Sequence, residues 1–70
     1  MGVKCLLSYP DAMMPDLREK GVAPWSKGGE FESFGRAIEA AREVAEVKNM
    51  PIQVTCMGQK MTVYPKSIGY

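Results

Sequence analysis

Val3-Lys4-Cys5-Leu6-Leu7-Ser8-Tyr9 predicts a strand, with Val3, Cys5, Leu7 and Tyr9 on one face and Lys4, Leu6 and Ser8 on the other. Pro10 ends it, having no amide hydrogen to donate to a ladder. From Phe34 to Lys48 the period changes. At about 100° per residue, Phe34, Ala37, Ile38, Ala41 and Ala45 fall on one stripe, with Ala40, Val44 and Val47 on its flank. Arg36, Glu39, Arg42, Glu43 and Glu46 fall opposite, so the segment reads as an amphipathic helix. Ser33 is placed to cap its start, Asn49 to close it in a left-handed conformation, and Pro51 forbids its continuation. Pro51 to Pro65 returns to a period of two and predicts a hairpin. Gly58 supplies the positive φ that its turn needs, and both a Met57-Gly58 and a Gly58-Gln59 turn keep Ile52, Val54, Met61 and Val63 on one face.

Residues 10–29 have no such rhythm. They contain Pro10, Pro15 and Pro24 together with Gly21, Gly28 and Gly29, which predicts a long loop with one or two helical turns over 15–20. Glu30-Phe31-Glu32-Ser33 alternates and predicts a short edge strand with Phe31 inward. Residues 66–70 read as a tail. The fold class is therefore α+β: one amphipathic helix on a three- to four-stranded, mostly antiparallel sheet, in the order β-loop-β-α-β-β. The expected core is Val3, Cys5, Leu7, Phe31, Phe34, Ile38, Ala41, Ala45, Ile52, Val54, Met61 and Val63.

Seventy residues allow one domain spanning 1–70, whose core supplies only roughly 3–5 kcal/mol. Apolar runs are too short for a membrane span, and no secretory signal is recognisable, so a cytoplasmic protein is expected, with Cys5 and Cys56 reduced. The net charge of +1 is uneven. Residues 1–46 hold six basic residues against all eight acids, whereas 47–70 hold Lys48, Lys60 and Lys66 and no acid.

Catalytic chemistry is poorly provided for. The chain has no histidine, the usual general acid–base. Both cysteines sit at inward strand positions and read as buried, inert thiols. Glu39, Glu43 and Glu46 read as solvated helix charges, and Gly28-Gly29 lacks the Lys-Ser/Thr of a phosphate loop. No enzyme activity, cofactor or metal site is expected.

Binding is better supplied. A single helix covers one sheet face and leaves the other bare. That face would carry Lys4, Leu6, Ser8, Gln53, Thr55, Met57, Lys60, Thr62 and Tyr64. It reads either as a wet face with scattered apolar groups or as an interface. In the second reading Tyr64 anchors, Met57 adapts, Leu6 adds apolar area, and Lys4 and Lys60 steer an acidic partner. Trp25, beside Lys27 in the loop, is either a buried peg or an exposed anchor.

The segments Phe-Glu-Ser-Phe-Gly-Arg-Ala-Ile-Glu-Ala-Ala-Arg from Phe31 and Pro-Ile-Gln-Val-Thr-Cys-Met-Gly-Gln-Lys-Met-Thr-Val-Tyr-Pro from Pro51 carry a resemblance. Their layout resembles short phage- and mobile-element-encoded accessory proteins of the anti-CRISPR kind: a strand leading into a Ser-Phe-capped Ala-rich helix, closed by a Pro-led hairpin. The resemblance implies a small non-enzymatic inhibitor that occupies a surface on a larger host or defence protein. It implies no catalytic or binding residue. The alternatives are weak single-stranded nucleic-acid binding on the open sheet face and a homodimeric accessory subunit.

Overall fold

The computed structural model describes residues 2–66. Of the expected tail at 66–70, residues 67–70 lie outside the described residues. In chain order the elements are β1 (Val3–Ser8), a 3₁₀ turn (Asp11–Met13), α1 (Met14–Glu19), β2 (Ser26–Phe31), α2 (Phe34–Lys48), β3 (Ile52–Cys56) and β4 (Gln59–Val63). The four strands form one open antiparallel sheet in the order β2-β1-β3-β4, and α2 packs on one of its faces.

The helix forms where the 3.6-residue period places it, and both ends are chemically fixed. The Ser33 hydroxyl accepts a hydrogen bond from the Arg36 amide at 3.3 Å, satisfying one of the first-turn donors. Asn49 takes a left-handed φ of 56° and donates its amide to Ala45 O, which closes the last turn before Pro51. Ala37, Ala41 and Ala45 are fully buried. These small side chains let the helix settle on the sheet centre, where Leu7, Ile52 and Val54 are also buried. Val3, Phe31, Phe34 and Ile38 are only partly buried around that centre.

The segment predicted as a long loop over 10–29 is more ordered than expected. Pro15 sits in the first turn of α1, and Leu17 is buried. The helix ends when Gly21, at φ 79°, donates to Arg18 O and Val22 donates to Leu17 O at 2.9 Å, a paired closure that needs a left-handed residue. The edge strand predicted over Glu30–Ser33 instead runs from Ser26 to Phe31. Two glycines hid it. With no side chains at 28 and 29 the sequence shows no alternation there, yet β1 supplies a full ladder from Val3↔Phe31 to Ser8↔Ser26.

Three further expectations change. Met61 faces the helix side but is 46% exposed, because its edge strand β4 extends past the cover of α2. Tyr9 and Leu17 join the core in its place. Cys5 and Cys56 are not free thiols. They are directly opposed on β1 and β3, 4.4 Å apart at Cα, and form a buried disulfide across 51 positions of chain. Their inward positions read correctly as buried. The expectation of reduced thiols, drawn from an assumed compartment, does not hold.

Candidate functional site

The face of the sheet away from α2 is built by alternation. On β1 Lys4, Leu6 and Ser8 alternate with the buried Cys5 and Leu7. The register places Leu6 beside Gly28 on β2 and Thr55 on β3, and Thr55 beside Lys60 on β4. Lys4 lies directly across from Glu30. Gly28 has no side chain, so Leu6 stands next to a gap. The result is an open groove of about 490 Å³ lined by Lys4, Leu6, Gly28, Gly29, Glu30 and Thr55. Leu6 is 41% exposed and gives the groove an apolar floor.

The β3–β4 side of this face is polar and knitted together. Asp11, just beyond the end of β1, donates its amide to Gln53 Oε1 at 3.3 Å and accepts from Lys60 Nζ at 3.3 Å. Gln53 Nε2 donates to Thr55 Oγ1 at 3.4 Å. Lys60 is thus paired with a carboxylate rather than presented alone.

The seven residues singled out from sequence do not form one patch. Lys4 and Leu6 line the groove. Met57 was expected on the open face but occupies the hairpin tip. Residues 57 and 58 form the two-residue turn between Cys56 and its partner Gln59. Met57 and Gly58 both have positive φ, 48° and 82°, as a turn that follows the right-handed twist of its strands requires. The turn lies at the Cys5↔Cys56 end of the sheet, the end where Lys4 and Glu30 sit, but Met57 is not among the residues that line the groove. Lys60 sits on the Leu6 rung but within the Asp11 network. Tyr64 is 55% exposed, past the opposite end of β4.

Trp25 and Lys27 belong elsewhere. Lys27 lies opposite Leu7 on the helix side of the sheet and is exposed. Trp25 is half-buried. Its ring packs on that of Tyr9, with centroids 5.7 Å apart, and the Lys48 ammonium lies 4.9 Å from its centroid. The same ammonium donates to the Tyr9 hydroxyl at 3.4 Å. Trp25 is thus neither the buried peg nor the exposed anchor of the two readings: half-buried, it packs the chain before β2 against Tyr9 and Lys48 at the C-terminal end of α2. Glu30 and Gly28 are groove residues that the sequence reading missed, since β2 was taken to begin only at Glu30.

Among the described residues no cluster of three or more His, Cys, Asp or Glu could hold a metal ion, and no helix is long and apolar enough to cross a membrane. Comparison of the chain with protein-family models, curated proteins and solved structures finds no match in any of the three.

Proposed function

We propose that the protein acts by binding, not catalysis, and that it docks a larger protein against the groove end of its open sheet face. One observation carries this reading. Met57 holds a left-handed backbone conformation, which costs an unbranched L-residue about 1 kcal/mol relative to Gly or Asn, yet its side chain is 85% exposed. Folding alone favours asparagine or glycine there. A large, flexible apolar group at a strained tip is the pattern of a contact residue that waits for a partner.

Leu6 and the groove extend the patch, and Lys4 beside Glu30 gives it charges of both signs. This mixture favours a protein surface over a nucleic-acid backbone, because Lys60 is paired with Asp11 and Lys4 has Glu30 as its cross-strand neighbour. The inhibitory role implied by the anti-CRISPR-like layout is kept as the form that such binding takes: the partner is blocked by occupancy. The buried Cys5–Cys56 disulfide stands against the expected cytoplasmic setting, since such bridges persist in oxidising compartments.

The test pairs Met57→Asn with Leu6→Ser. A partner is captured from the source cells on the immobilised protein, purified, and titrated against the wild type and both variants. Each variant is expected to keep its fold by circular dichroism and to bind at least tenfold more weakly, or about 1.4 kcal/mol. Wild-type affinity in both would overturn the assignment of this surface.

A further inference from the structure

The outer edge of β2 is one end of the sheet, and residues Ser26 to Glu30 along it are all exposed. The direction of its backbone groups follows from the hairpin. The two-residue turn makes Cys56 and Gln59 a hydrogen-bonded pair. Backbone groups alternate in direction along a strand, so Thr55 bonds to Leu6 across β3 and β1. Val3, Cys5 and Leu7 then bond to Phe31, Gly29 and Lys27 across β1 and β2. The close 4.4 Å Cα separation of Cys5 and Cys56 fits the same pattern, since pairs without mutual hydrogen bonds lie nearest. The amides and carbonyls of Ser26, Gly28 and Glu30 therefore point outward from the edge.

We propose that two copies of the chain join antiparallel through this edge, about a two-fold axis at Gly28, so that their sheets become continuous. The edge is self-complementary in that register. Gly28 pairs with Gly28 of the second copy, and Ser26 pairs with Glu30 in both directions, which uses every outward-pointing group of the strand. The two glycines keep the axis free of side chains. On the helix side, Lys27 faces Gly29. Trp25 lies one position before β2 with its ring on that of Tyr9, at the end of the strand where this register brings Phe31 of the second copy. Both aromatics are only half-buried in the single chain. Of the two adjacent registers with this hydrogen-bond direction, the one centred on Lys27 pairs Glu30 with Pro24, which has no amide hydrogen to donate, and the one centred on Gly29 pairs Ser26 with Glu32. Glu32 lies beyond the end of β2 and is held by Arg36 at 3.4 Å. On the open face the two Gly28 gaps meet between the two Leu6 side chains, merging the two grooves into one trough.

The register is tested at Ser26, which is exposed and faces only Ser8 in its own sheet. Sedimentation equilibrium on the full chain is expected to show a reversible dimer. Ser26→Glu places like charges across from Glu30 twice and is expected to weaken the dimer on the order of tenfold. Ser26→Lys places opposite charges there and is expected to tighten it. That gain is expected to vanish in the Ser26→Lys, Glu30→Gln double variant. Gly28→Pro removes an outward amide without touching the β1 ladder and is expected to give a folded monomer. A wild type that stays monomeric up to about 1 mM, where only contacts weaker than about 4 kcal/mol remain, would overturn the proposal and leave the edge to a different chain. A dimer indifferent to the charge at Ser26 would overturn it equally.

Discussion

Ser33, Asn49, Met57 and Gly58 decide the local geometry around the long helix and the hairpin, and they differ in how well each fits its backbone. Ser33, at φ −158° and ψ 170°, has the extended conformation of a capping residue and uses its hydroxyl. Ser33→Ala is expected to lower stability by about 1 kcal/mol, read as a shift of the denaturant midpoint at unchanged slope. Met57 is the misfit. Met57→Asn is expected to raise stability by about 0.5–1 kcal/mol in the same measurement, since asparagine tolerates a left-handed φ more easily. Gain of stability together with loss of partner binding would identify Met57 as kept for contact. A fall in stability would mean that its side chain packs in a way its exposure does not show.

Legibility differed from element to element for physical reasons. The bounds of α2 could be read from residues 34–48 because an apolar stripe, a serine cap, an asparagine closure and a proline all agree there. The hairpin facing was equally readable from the alternation Ile52, Val54, Met61, Val63. Its turn was not, because Gly58 permits a reversal on either side, and only the pairing Cys56↔Gln59 selects Met57-Gly58. β2 escaped because a strand made of Ser-Lys-Gly-Gly-Glu-Phe has little intrinsic preference for extension. It exists because β1 offers a ladder, a tertiary cause that no local pattern announces. The same blankness concealed half of the groove, since Gly28 contributes by lacking a side chain and the strand that sets Glu30 beside Lys4 could not be paired from sequence. The facing of Leu6 and Lys4, on a clean alternating strand, could be read directly.

At the scale of the whole molecule, the disulfide compensates for a small core. Described side chains with near-complete burial are mostly alanine and medium aliphatics, and no large aromatic is fully buried among them. Bridging Cys5 and Cys56 across 51 positions removes about 4 kcal/mol of loop-closure entropy from the unfolded chain. That is comparable with the net stability expected for a domain of this length. Adding a strong thiol reductant should therefore lower the unfolding midpoint sharply or unfold the chain outright, as followed by circular dichroism in increasing denaturant. An unaltered midpoint after complete reduction, verified by thiol alkylation and mass spectrometry, would show that packing alone sustains the fold. The sequence showed two buried cysteines, but only the strand order, which sets β1 beside β3, shows that they meet.

Because that bridge fastens the first strand to the third, it encloses almost everything between them in a covalent ring. A protease that cuts once within the ring, for instance after Lys20 where α1 gives way to a turn, would add a water to the mass without releasing a fragment. The nicked species should run as one molecule until the bridge is reduced, then separate into two peptides. Such a chain could survive digestion in working form, and early loss of a free piece under non-reducing conditions would show that the ring is not closed.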